Sequence, residues 1–217
     1  MMKAPSSSST IVPLLPIRTL VPQAPIANIL DGALKDFESG NSPDGAAQRE
    51  QRLMQAIAGQ TGAQLLFEFG PGTHAAALMA GLDDQAHMVV TGQPQSGRMA
   101  IDRARCARLL TAQAIASTEV IRHVDGYHGR DTRLAFAPYI GECDLAVIGA
   151  THDSASVHCD SLTALHLVKP GGIVLWCDYG SAAGVTRCLN ELYQTVPRLR
   201  TLRHIRQTNL CLWRRAE

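Results

Sequence analysis

A chain of 217 residues, 46% apolar and 18% charged, can fill one sizeable core and is too apolar for a disordered chain. Its formal net charge of +1 gives no bulk attraction to nucleic acid or to an anionic membrane. No apolar run approaches the roughly 20 residues that cross a bilayer, so neither a membrane nor a nucleic acid is expected as a partner.

The N-terminal residues 1–43 are rich in proline and serine: APSSSS, VPLLP, VPQAP, GNSP. They predict an arm that is loose to about residue 15 and carries one short helix near Ile26 to Phe37, because proline fixes φ and interrupts regular elements. Two prolines break the apolar piece IVPLLPI, which argues against a secretory signal. The main domain is expected over residues 44–217, opening with a helix from Asp44 to Gln60 whose apolar positions partly trace one face.

Strand and helix patterns then alternate. The strands expected are Gln64–Phe69, His87–Thr91, Ile121–Asp125, Asp144–Gly149, Gly172–Cys177, Leu202–Arg206 and Asn209–Arg214. The helices expected are Ala75–Gly81, Ser96–Ala116, Thr132–Tyr139, Ser156–Leu167 and Ala183–Tyr193. This alternation is the signature of an α/β fold, a mostly parallel sheet with helices on both faces. Only Gln207 and Thr208 separate the last two strands, and so tight a connection requires an antiparallel pair.

The cysteines, Cys106, Cys143, Cys159, Cys177, Cys188 and Cys211, are scattered without a C-x-x-C pair. Zinc ribbons and redox motifs need close pairs, so the expectation is reduced, buried thiols and a cytoplasmic location.

The stretch FEFGPGTHAAALMA, Phe67 to Ala80, reads as a strand, a glycine turn and the start of a helix. Gly70 and Gly72 allow positive φ and a close approach of backbone to ligand, and the helix start offers free N–H groups. Such turns lie at the strand edge where open α/β sheets take their ligands. Glu68 places a carboxylate inside the strand, which needs donors nearby and suits a ligand with an amino group and a sulfonium better than a pyrophosphate. The spacing is G-x-G-x-H rather than the dinucleotide G-x-G-x-x-G, which disfavours a nicotinamide-dependent oxidoreductase. A strand–helix turn without any ligand is the plain alternative.

EFGPGTH resembles the first motif of class I S-adenosylmethionine (SAM)-dependent methyltransferases. Further segments keep step in order: GYHGRDTRLAF, CDLAVIGATHDS, LVKPGGIVLWCDYG, GVTRCLNEL and QTNLCLWRR. The resemblance runs from about Asp44 to Arg215 and is nearest to a small-molecule subgroup. It implies a Rossmann-like fold with a seven-stranded sheet ordered 3-2-1-4-5-7-6, strand seven antiparallel. It implies SAM as cofactor and a small-molecule methyl acceptor as partner; a second copy of the chain is an option left open.

By the resemblance, Glu68, Gly70, Pro71 and Gly72 would face the methionine part of the cofactor. Asp131 would either lie near the adenine or cap the helix beginning at Thr132. Three departures stand out. The third glycine of the motif is His74. The second strand ends in Thr91, Gly92 and Gln93 in place of an acid, leaving Gln93 as a neutral acceptor for a ribose hydroxyl. At the metal positions of related enzymes the chain has Gly149 and Cys177, with only Asp178 retained, so no catalytic metal is expected.

His152 matches a histidine at the mouth of the fourth strand. Imidazole is the side chain that ordinarily ionises near neutrality, which suits a general base; a locally packed loop histidine is the alternative. Asp178 would orient His152 or substrate, or cap the next helix, and Tyr179 would line the pocket. The sequence thus predicts metal-independent O- or N-methylation of a small molecule. Its rival is a methyltransferase fold that has lost catalysis and serves as a binding or partner subunit.

Overall fold

The computed structural model describes residues 18–30, 34, 45–70, 74–80, 82, 86–91, 136–149 and 152–217. The expected strand Ile121–Asp125, the helix Ser96–Ala116 and the first half of Thr132–Tyr139 lie outside the described residues.

The described strands, in chain order, are β1 (Gln23–Ala24), β2 (Leu65–Phe69), β3 (His87–Thr91), β4 (Cys143–Ile148), β5 (Val168–Trp176), β6 (Arg203–Ile205) and β7 (Cys211–Arg214). The helices are α1 (Ile26–Ile29), α2 (Ala46–Thr61), α3 (Ala75–Met79), α4 (Ser154–Leu167) and α5 (Ala183–Thr195). The strands form one sheet in the order β1-β6-β7-β5-β4-β2-β3. β7 runs antiparallel to both its neighbours, and the other pairs are parallel. From β3 to β6 this is the order the resemblance implies. The tight β6–β7 connection closes through Gln207, at φ 62°, with Ile205 N–H donating to Leu210 O at 2.8 Å.

The arm contributes more than its prolines suggest. Gln23 and Ala24 pair in parallel with His204 and Ile205, adding a strand beyond β6 that the sequence does not announce. Of the expected arm helix the described part is α1, Ile26–Ile29 with Leu30 as its C-cap; Leu34 adopts φ 61°, and 31–33 and 35–37 lie outside the described residues. Tyr179 secures the arm. Its hydroxyl accepts from Leu20 N–H and Val21 N–H at 2.9 Å and donates to Asn190 Oδ1 at 2.7 Å. Tyr179 is fully buried, so it does not line a pocket as the sequence suggested.

Alternation along the strands divides the core, because successive side chains point to opposite faces. Leu66, Leu145, Val147, Ile173 and Leu175 pack with Leu53, Ile57 and Leu78 of α2 and α3. Phe67, Ala146, Ile148, Val174 and Trp176 pack with Val157, Leu165, Val185 and Leu189 of α4 and α5. The Trp176 indole N–H finds Ser161 Oγ at 2.8 Å, so burying the ring leaves its donor satisfied. Cys143, Cys177, Cys188 and Cys211 are buried thiols as expected, but Cys159 is exposed on α4.

At the start of β4, Asp144 joins three segments. Its Oδ2 accepts from Gln64 N–H at 2.9 Å and Leu65 N–H at 2.8 Å, while Oδ1 pairs with Lys169. Removing a nearly buried carboxylate that holds two backbone donors strands those donors as well as the ion pair. Asp144→Ala is expected to lower unfolding free energy by about 3 kcal/mol in urea denaturation, and Asp144→Asn by less. An alanine variant within about 0.5 kcal/mol of the parent would contradict this role.

Candidate active site

The C-terminal ends of the three central strands are level. Phe69 is opposite Ile148, and Ile148 is opposite Trp176. Gly149 N–H donates to Phe69 O at 3.4 Å and Cys177 N–H to Ile148 O at 2.9 Å, extending both ladders by one residue. Gly70, Gly149 and Cys177 therefore leave the sheet side by side. Gly70 does so at φ 149°, a conformation that side chains disfavour.

Glu68 is buried at this edge, and its Oε1 accepts the His74 N–H at 3.0 Å. That bond ties the start of α3 back to β2 across the glycine turn. The His74 ring then lies directly over Gly149. A Cβ on Gly149 would stand 2.6 Å from His74 Nε2, 2.7 Å from Cδ2 and 3.3 Å from Cys177 Sγ. Position 149 is thus a glycine because an imidazole from a strand–helix turn far away in sequence fills the space above it. Burial pushes the His74 ionisation below its ordinary value, opposed by the negative field of Asp178. Burial also pushes the Cys177 thiol well up, helped by Asp178, Glu68 and Glu50, so the thiol stays protonated.

Asp178 follows β5 at φ 63°, in the left-handed region that aspartate tolerates better than most residues. Its backbone carbonyl, not its carboxylate, receives Ser181 N–H at 3.3 Å and Ala182 N–H at 2.9 Å ahead of α5. The carboxylate is left to face His152, whose Nε2 lies 3.2 Å from Oδ2. The side chains are 63% and 37% exposed, so this pair stands at the open rim of the edge. A carboxylate only accepts, so in this contact Nε2 is the nitrogen that donates. Asp153, next in sequence, caps α4 by accepting Ser156 N–H at 3.0 Å. A Cβ on Gly184 would run into the His152 carbonyl, so the glycine at the start of α5 lets the His152 loop lie down on it.

Of the residues expected from sequence, Glu68, Gly70, Gly149, His152 and Asp178 meet at this one edge. Pro71, Gly72, Gln93 and Asp131 lie outside the described residues. In the sequence His74 stands out only as a departure from the third glycine of the motif; the signal that could have placed it is that a histidine in the turn and a glycine after β4 compensate each other in volume. Glu50 was missed too. It reaches from α2 to accept Asn209 N–H at 2.6 Å, and burial raises its ionisation. An open cleft of about 900 Å³ at the opposite edge of the sheet, lined by Ile140, Leu165, Trp213 and Arg198 among others, shares no residue with this constellation.

The donors do not suit magnesium, which wants several oxygens and usually more than one carboxylate. Gly149 has no side chain, an acid there would collide with His74, and Cys177 offers a neutral thiol. Among the described residues no group of three or more His, Cys, Asp or Glu is placed to hold a metal ion.

Solved structures share this architecture. PaMTH1, a SAH-bound methyltransferase of Podospora anserina, is 16% identical, with 90% of each chain covered at a TM-score of 0.58. An O-methyltransferase of Bacillus cereus in complex with SAH is 20% identical, with 79% of this chain and 80% of that one covered at 0.53. TomG of Streptomyces achromogenes, an O-methyltransferase of tomaymycin synthesis in complex with SAM, is 15% identical, with 91% and 92% covered at 0.53. The fold is that of the class I methyltransferases. At these identities the likeness is one of fold. No family model matches the chain. No curated protein matches it by sequence.

The contact of His74 with Gly149 makes a measurable coupling. Gly149→Ala is expected to cost about 1–3 kcal/mol, as overpacking does, in the parent, and markedly less in a His74→Ala background. Equal costs in both backgrounds, read from denaturant midpoints, would mean that the ring lies elsewhere.

Proposed function

We propose that this protein is a SAM-dependent methyltransferase acting on a small molecule at oxygen or nitrogen, without a metal. The observation that carries the reading is the level edge at which a buried Glu68, a positive-φ Gly70 and the His152–Asp178 pair converge. The fold supports it, since solved proteins of this architecture were crystallised with SAM or SAH. Glu68, Gly70 and Gly149 would hold the cofactor's amino-acid end, with Pro71, Gly72, Gln93 and Asp131 as the remaining contacts implied by the sequence resemblance.

SAM bound there supplies an electrophilic methyl group on a sulfonium. The chain's own work is alignment and proton removal. Asp178 orients the His152 ring through Nε2, leaving Nδ1 to take the proton from the acceptor's hydroxyl or amine. The developing imidazolium is stabilised by the same carboxylate. Metal independence is supported by the lack of a suitable oxygen donor set around Gly149 and Cys177 among the described residues. A cytoplasmic location belongs to the same proposal; its support is the set of buried free thiols. No helix among the described residues is long and apolar enough to cross a membrane.

A second reading has its own support. The sequence after β3 continues as Gly92-Gln93, without an acid for the ribose, and His74 replaces the motif's third glycine with a bulkier residue. A chain so altered would serve as a partner subunit without catalysis. Calorimetric titration with SAM, SAH and NAD separates the readings. Binding of SAM and SAH supports methyl transfer, binding of NAD alone points to an oxidoreductase, and binding of none favours the partner subunit.

Two outcomes follow for the active protein. Turnover should persist in EDTA; loss in EDTA with recovery in magnesium would contradict the metal-free mechanism. His152→Ala should cut turnover by about two decades or more with cofactor affinity almost unchanged, the usual contribution of a general base. Turnover within a few-fold of the parent would make His152 structural.

A further inference from the structure

The His74 imidazole has no part in the proton transfer above, yet it occupies the middle of the proposed cofactor edge. It lies over Gly149, beside Cys177, on a turn whose first glycine opens the site. It is only half-buried. We propose that His74 is a wall of the cofactor site that reads the charge on the cofactor's sulfur, accepting a sulfonium when neutral and discriminating against it when protonated. The proposal rests on the methyltransferase reading and deepens it, because substrate and product cofactors of such a reaction differ in that one charge.

The physical argument is Coulombic. A neutral imidazole sets a dipole beside the ligand. An imidazolium sets a full positive charge there, and two like charges some 7 Å apart at an effective dielectric near 20 repel enough to cost roughly tenfold or more in affinity. The neutral thioether of SAH escapes this cost. Burial already keeps His74 neutral at pH 7, so discrimination emerges on the acid side of the ordinary histidine range. Linkage gives the sign: below that point SAM must expel the His74 proton to bind, and SAH need not.

Other charges surround the ring. Glu68 holds the His74 backbone N–H from β2; Cys177 and Asp178 follow β5; His152 pairs with Asp178; and α2, packed on α3, carries Arg49, Glu50 and Arg52. Protonating Glu68 or Asp178 would also weaken SAM relative to SAH, so the assignment to His74 requires a variant.

The test is the ratio of dissociation constants, SAM over SAH, measured by calorimetry between about pH 7.5 and pH 5. The ratio should climb as the pH falls in the parent and in His152→Ala, by about threefold or more, and stay within about twofold in His74→Gln. A companion measurement needs no variant: in acid buffers of different ionisation enthalpy, SAM should release a proton on binding and SAH should not. A flat ratio in the parent, equal proton release by the two ligands, or a rise that survives in His74→Gln overturns the inference while leaving the cofactor site standing. Failure of both ligands to bind at any pH overturns the methyltransferase reading and the inference together.

Discussion

Three parallel strands that end level with one another decide where this protein can hold a ligand. With Phe69, Ile148 and Trp176 in register, the next residues, Gly70, Gly149 and Cys177, emerge together; His74, His152 and Asp178 come from the segments that follow them, and Glu68 stands just before Phe69 on β2. A slip of one residue between β2 and β4 would exchange the faces of the strand, burying what now faces α4 and α5 against α2 and α3. The division of the core between those helix pairs therefore fixes the register, and the register fixes the site.

The site is also held by absences of side chain. Gly149 yields to the His74 ring and Gly184 to the His152 carbonyl, so both histidines are positioned by glycines distant in sequence. Two imidazoles then flank Asp178: His152 by direct contact at the rim, His74 through its field in the interior. Their surroundings assign them different work, since an exposed ring can exchange protons with an acceptor and a half-buried one is biased toward its neutral form.

Much of this was legible in the sequence because the signals were local. The alternating strands β2, β4 and β5 and the helices α4 and α5 begin and end within a few residues of where apolar periodicity puts them, and two connecting residues announced the antiparallel β6–β7 pair. What escaped depended on distance. β1 is two residues between Pro22 and Pro25, and only pairing with β6 makes it a strand. Tyr179 looked like a pocket residue by its neighbour Asp178, but its hydroxyl is committed to Leu20, Val21 and Asn190. His74 and Gly149 meet across the sheet edge, a contact no window along the chain contains. β5 begins at Val168, ahead of the expected Gly172, because Pro170 and the positive-φ Gly171 are absorbed at its start, where the β4 register shifts.

The central claim is that a SAM-type cofactor binds at this edge, against Glu68 and Gly70 with its sulfur toward His74. The most direct measurement is a crystal structure of the protein grown with saturating SAH. The account predicts density for the ligand's amino-acid end beside Gly70 and for its sulfur within about 7 Å of the His74 ring. Density for SAH elsewhere on the protein, or an edge without ligand while SAH binds in solution, would contradict it.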